Sequence, residues 1–309
     1  MSSPAAAAPK SALSAAWNQP ILLLTLTAAI WGGHSVVGRL AVGEISPLEL
    51  TFLRWAFAFG PIAYAARRTL RRDFAEMRAR WAFVGAMGAL GFTAFNALFY
   101  VSAHYTSAVN ISIIQGAVPA LVLIGATFLG MRATGLQIVG TVMTMAGVIA
   151  IAAQGDWSRL AHFEFNFGDV LMVIASVFYA GYTIGLRYRG ARISAFGFLA
   201  GMAVAAILTS APLFALEWAQ GKAVWPSWAG LLVLLYAALG PSFLAQVLYM
   251  RGVELIGPGR AGVFVNLVPV FGALMAALLL SEPFAAYHVV ALVLVVGGIA
   301  IAQLRPASR

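Results

Sequence analysis

Long apolar stretches separated by short polar breaks run along the whole chain. No stretch alternates apolar and polar residues with a period of two, which is the pattern a membrane barrel requires. A helix crosses a bilayer with about 20 mostly apolar residues. Such segments lie near 20–42, 47–66, 81–103, 107–130, 133–153, 167–188, 193–217, 228–251, 259–281 and 284–304. Backbone groups in hydrocarbon must bond to one another, so helices are the expected form. The pattern predicts an all-α integral membrane protein of ten transmembrane helices, called spans 1 to 10 below.

The pattern also repeats. At a separation of 150, Gly147-Val-Ile-Ala-Ile-Ala152 matches Gly297-Gly-Ile-Ala-Ile-Ala302, Pro119 matches Pro269, and Asn96 matches Gln246. At 148, Trp31-Gly-Gly-His34 matches Tyr179-Ala-Gly-Tyr182, and Arg39 matches Arg187. Five is odd, so two five-span units in series point in opposite directions across the bilayer. The expected organisation is a first repeat at 20–153, a periplasmic linker at 154–166 and a second repeat at 167–304. Residues 1–19, rich in Ala, Ser and Pro, read as a disordered cytoplasmic tail, and 305–309 as a second one. A secretory signal built on Lys10 and 21–30 is the rival reading of the start. The apolar run continues to Val42, however, which is long enough to span.

Composition agrees with the pattern. Of the 309 residues, 62% are hydrophobic and 9% charged, against about 25% charged in soluble domains. Cysteine is absent and the four histidines are scattered, so no metal site and no cofactor is expected. The basic residues set orientation. Lys10, Arg67, Arg68, Arg71, Arg72, Arg78, Arg80, Arg132, Arg187, Arg189, Arg192, Arg251, Arg260, Arg305 and Arg309 fall on one side of a ten-span chain. Arg39, Arg159 and Lys222 fall on the other. This bias predicts a multi-pass protein of the bacterial inner membrane with both termini cytoplasmic. It also accounts for the net charge of +9 through orientation and lipid headgroups, with no nucleic-acid partner. A monomer is expected, although the sequence says little about assembly.

Polar side chains facing lipid are costly, so those inside spans turn inward. Trp31, His34 and Gly38 share a face of span 1, and Phe92, Asn96, Phe99 and Tyr100 a face of span 3. Ser112 and Gln115 precede Pro119 in span 4, and Asn266 precedes Pro269 in span 9. Tyr179 and Tyr182 lie in span 6, and Ser242, Gln246 and Tyr249 in span 8. Trp31/Tyr179, His34/Tyr182, Asn96/Gln246 and Phe99/Tyr249 are repeat-related, and such pairs tend to meet where transporter sites lie. Any one of them could instead join two helices by a hydrogen bond. Pro119 and Pro269 free the carbonyls of Gln115 and Val265. Those carbonyls could receive an ammonium, or the kinks could serve packing alone. His34 could exchange a proton or remain neutral and hydrogen-bonded. Arg54, a third of the way into span 2, is expected to snorkel to the surface or pair with Glu49, rather than to attract an anion.

Ala29-Ile-Trp-Gly-Gly33, Arg54-Trp55, the Pro119 and Pro269 segments and Ser281-Glu-Pro283 carry a resemblance. Over roughly residues 20–304 the chain resembles the EamA branch of the drug/metabolite transporter superfamily. Within that branch it is similar to the YddG-type exporters of aromatic amino acids. The resemblance implies ten spans, a five-plus-five inverted repeat and transport of a small molecule. Arg132 departs from the pattern, because many members have an acid there, as Glu282 is in the second repeat.

No carboxylate sits deep inside a span, which argues against a carrier of organic cations. Membrane transferases need acidic clusters for Mg²⁺, and no two in-membrane acids lie close in sequence. A channel would need a continuous polar face on several helices. A phosphate-sugar antiporter would need two or more cations in its cavity. The sequence therefore predicts export of a small zwitterionic or neutral metabolite, above all an aromatic amino acid, by alternating access. Its site is expected among spans 1, 3, 4, 6, 8 and 9.

Overall fold

A computed structural model describes residues 15–40, 43–102, 105–106, 108–161, 165–280 and 285–304. Ser281-Glu-Pro283 and the basic residues Lys10, Arg305 and Arg309 lie outside them, as does the side chain of Arg39. The described residues are helical and contain no strand. Span 1 is Pro20–Leu40, span 2 Pro47–Ala66 and span 3 Trp81–Ser102. Span 4 is made of Ala108–Gly116 and Val118–Phe128, followed by span 5, Gly135–Ala153. Spans 6 to 10 are Phe167–Tyr188, Ala195–Ala219, Trp228–Ile256, Pro258–Leu279 and Ala286–Gln303. Eight of the ten are long and apolar enough to cross a membrane. Span 1 is apolar over Pro20–His34, and span 2 has 20 residues but carries Glu49 and Arg54.

Helix starts follow local chemistry. Thr134 with Gln137 and Asn166 with Asp169 form capping boxes for spans 5 and 6, while Ser194 and Ser227 cap spans 7 and 8. Pro20, Pro47 and Pro258 stand at helix starts, where a missing N–H does no harm.

Span 5 packs on span 10, and span 2 on span 7. Span 1 packs on spans 8 and 9, and span 6 on spans 3 and 4. Exchanging the two halves leaves this set of neighbours unchanged, as an inverted repeat requires. The repeated Gly-Ala motif lies at one of these joints. A Cβ on Gly140 would fall 2.4 Å from the Gly298 carbonyl oxygen, and one on Gly147 2.9 Å from that of Ala291. Small residues thus let the backbones of spans 5 and 10 touch.

Spans 2 and 7 are tied at both ends by acids that cap each other's first turn. Glu217, near the end of span 7, accepts from the Ser46 hydroxyl (2.8 Å) and from the amides of Leu48 (3.3 Å) and Glu49 (2.9 Å). Asp73 follows span 2 in the short helix Leu70–Ala79. It accepts from the Ser194 hydroxyl, from the Ser194 amide (3.1 Å) and from Arg72 (3.1 Å). Ser46 and Ser194 stand 148 positions apart, so the two clasps obey the repeat. Asp73 is fully buried. Burial pushes its carboxyl up, but the Ser194 and Arg72 hydrogen bonds outweigh this and hold it below the usual carboxylate range.

Candidate functional site

Two helices contain π-helical turns at repeat-related places, Ala89–Ala94 in span 3 and Ala238–Leu244 in span 8. π-turns leave backbone groups without their ordinary partners and gather at functional sites. Here the Ser242 hydroxyl donates to the Ala237 carbonyl (2.8 Å). Spans 4 and 9 are also interrupted, at Ala117 and in a 3₁₀ stretch at Val263–Asn266. Each break lies just before its proline, as the missing N–H dictates. All four irregularities surround one cavity of about 130 Å³.

Of the expected site residues, Trp31, His34, Asn96, Phe99, Tyr100, Gln115, Tyr179 and Gln246 line this cavity. Phe92 and Phe95 add aromatic wall, and Val265 and Val268 add apolar wall. Trp31 meets Tyr179 edge-on at 6.1 Å and Tyr249 at 5.2 Å. Its indole N–H points to the Pro241 carbonyl at 3.4 Å. The two glycines after it are required by close neighbours. A Cβ on Gly32 would lie 2.9 Å from the Val268 carbonyl oxygen, and one on Gly33 2.4 Å from the Tyr236 hydroxyl. Tyr236 in turn donates to the Ile30 carbonyl (2.9 Å) and stacks on His34 at 6.5 Å.

Three expected residues lie just behind the wall. The Tyr182 hydroxyl donates to Gln246 Oε1 (2.8 Å), which leaves the Gln246 amide N–H groups to the cavity. Tyr249 bonds Thr183 at 3.0 Å. Asn266 donates to the Gly116 carbonyl (3.1 Å) and the Thr144 hydroxyl (3.0 Å), so it joins spans 9, 4 and 5. Gly116 is its repeat counterpart, 150 positions earlier. Asn266 and Pro269 border a void of about 20 Å³ next to the cavity, together with Ser112 and Gln115. Pro119 is buried and lines neither space.

Arg54 differs from its expected place. It neither snorkels nor pairs with Glu49. It is 4% exposed and lines the cavity. Its Nε donates to Ser242 Oγ (2.8 Å) and its NH1 to Asn96 Oδ1 (3.3 Å), and its charge lies 5.5 Å from the Trp55 ring centroid. The inward partners make the buried position stable, because a buried guanidinium must be hydrogen-bonded. Glu49 is engaged elsewhere, at the Ser46 clasp (3.2 Å). Span 2 therefore joins the six spans expected around the site.

The cavity offers one guanidinium, one imidazole, three amides, phenols and aromatic faces, with no carboxylate among its described lining residues. His34 Nδ1 is buried without a hydrogen-bond partner among the described residues. Such a group awaits a polar partner. A larger cleft of about 310 Å³ opens between spans 1, 5, 9 and 10, but Thr25 and His288 are the only polar residues among its described lining. Among the described residues no acid–histidine group suits a metal.

The profile of the EamA-like transporter family matches the chain twice, over residues 18–153 and 166–303. An Archaeoglobus fulgidus protein named "Uncharacterized transporter" is 27% identical over 84% of this chain and 89% of its own. Bacillus subtilis YyaM, of the same description, is 26% identical over 92% of this chain and 93% of its own. A solved crystal structure 20% identical in sequence superposes with a TM-score of 0.77 over 92% of this chain and 96% of the other. At that identity the likeness shows the fold alone.

Proposed function

The chain belongs to the EamA-like transporter family and is a multi-pass membrane transporter, and on that premise we propose that it moves small solutes carrying a carboxylate and an apolar or aromatic part. Aromatic amino acids are the leading cargo. The observation that carries this reading is Arg54, a buried cation in an aromatic, acid-free cavity. A carboxylate suits its planar fork, and the rings of Trp31, Phe95 and Phe99 suit the apolar part. The Gln115 amide oxygen and the irregular backbone of spans 4, 8 and 9 supply acceptors for an ammonium, while the Gln246 N–H groups add donors for the carboxylate.

The repeats at 20–153 and 167–304 would rock about this cavity, opening it to each side in turn. The basic bias sets both termini, with the tails 1–19 and 305–309, in the cytoplasm of a bacterial inner membrane, and the linker 154–166 in the periplasm. An organophosphate cargo is disfavoured, because Arg54 is the one arginine or lysine among the described lining residues. Release of labelled tryptophan, phenylalanine, threonine and methionine from loaded proteoliposomes tests the cargo, with glycerol phosphate as the organophosphate arm. Tryptophan and phenylalanine should leave faster than from protein-free vesicles. Equal rates for all amino acids would overturn the reading. The same assay with an imposed pH gradient measures proton coupling.

A further inference from the structure

Away from the transport cavity, a pocket of about 150 Å³ lies where the loop after span 4, the end of span 6 and the start of span 9 meet. Each segment contributes one arginine to it: Arg132, Arg187 and Arg260. Neighbouring arginines are engaged. Arg80 donates to the carbonyls of Tyr188 (3.1 Å) and Arg189 (2.8 Å), and Arg189 and Arg251 share Glu254 at 3.4 and 3.0 Å. The side chains of Arg132, Arg187 and Arg260 have no hydrogen-bond or ion-pair partner among the described residues, and no carboxylate is among the described lining of the pocket.

Three unpartnered guanidinium groups on one small concavity repel each other unless an anion sits between them. Gly257 has a φ of 81°, open to glycine, and the Arg187 guanidinium lies 3.9 Å from where a Cβ there would stand. Gln137 adds a donor. Its Oε1 accepts from the Thr134 amide (2.9 Å), which leaves its N–H₂ for the pocket. The remaining wall is apolar and includes Leu123 and Ile256. The pocket lies at the ends of spans 4, 6 and 8 and the start of span 9, on the side that the charge bias sets in the cytoplasm.

We propose that this pocket binds a phosphate group. The lining joins the arginines to apolar Leu123, Ala126, Met131 and Ile256, a combination that suits a phospholipid's phosphate together with its glycerol and first acyl carbons, while a free phosphate would use only the arginines. Basic pockets between spans on the cytoplasmic side recognise anionic headgroups in this way. The proposal is independent of the cargo.

Native mass spectrometry of the full chain in detergent tests it, titrated with phosphatidylglycerol, phosphatidylcholine or inorganic phosphate. Phosphatidylglycerol should bind, and each single Arg→Gln change should weaken it about fivefold, at roughly the strength of one basic contact. The triple change R132Q/R187Q/R260Q should weaken it about a hundredfold, whereas R68Q/R71Q/R78Q, which removes equal charge from the segment between spans 2 and 3, should leave it unchanged. Inorganic phosphate that binds with the same dependence on the three arginines would support the site with a soluble source. Equal loss in both triples, or no loss in either, would overturn the proposal. Arg→Lys versions of the same positions guard against misfolding and should retain most of the binding.

Discussion

Arg54 is held by Ser242 and Asn96, one from each half of the chain, so its charge reports on how the halves meet. Ser242, Asn96 and Tyr100 engage only part of its five N–H donors, which leaves others for a carboxylate. Arg54→Gln should lower tryptophan transport at least about tenfold, in keeping with ~1.5–3 kcal/mol for a hydrogen bond to a charged group. Arg54→Lys should fall between, because an ammonium keeps the charge but loses the fork. Initial release rates from proteoliposomes measure both. The inward placement of Arg54 was not legible in the sequence. Position along a span says how deep a residue sits but not which neighbour it meets, and Ser242 is 188 residues away. Trp31, Asn96 and Gln246 were legible for the opposite reason. Each is a polar or aromatic residue deep in an apolar span with a repeat-related counterpart, and those two facts need no knowledge of packing.

At the scale of elements, the Asp73 clasp between spans 2 and 7 carries pH dependence. The folded-state pKa of Asp73 is depressed, so its contribution is present above the unfolded value near 4 and is lost as pH falls through the folded value. Asp73→Asn should therefore lower the thermal unfolding midpoint in detergent at pH 7, and the gap from the unmodified protein should narrow as pH falls below 4. Glu217→Ala strands the Leu48 and Glu49 amides and leaves the Ser46 hydroxyl only its longer bond to Glu49, and should cost about 1–3 kcal/mol in the same measurement. The joint of spans 5 and 10 makes a third case. Gly140→Ala should cost about 1–3 kcal/mol by overpacking against Gly298, whereas Gly85→Ala, with open space around it, should be neutral. Hydropathy located all ten spans to within a few residues, because span length answers to bilayer thickness. Span 8 ran on to Ile256, five residues beyond its expected end, since the charged Arg251 and Glu254 hydrogen-bond each other and continue the helix past the apolar run. The π-turns were not legible. Span 3 contains no proline to announce one, and such a turn reflects contacts across the protein rather than local propensity.

The whole molecule is two copies of one plan whose neighbour relations survive exchange of the halves. On the alternating access proposed above, two such halves around a shared cavity would have two equivalent ways to open, and the clasps at opposite ends of spans 2 and 7 would give each way its own set of contacts to break. That symmetry was readable from an odd number of spans and a register of 148–150 residues. The phosphate pocket was not, since its three arginines looked only like orientation signal until the fold brought them together. The central claim is that the cavity around Arg54 is where a carboxylate-bearing solute is carried. Its most direct test compares labelled tryptophan with labelled tryptamine, which lacks the carboxylate, in proteoliposomes of the unmodified protein and of Arg54→Gln. The unmodified protein should release tryptophan much faster than tryptamine, and Arg54→Gln should abolish that preference. An undiminished preference for tryptophan in Arg54→Gln would contradict the account.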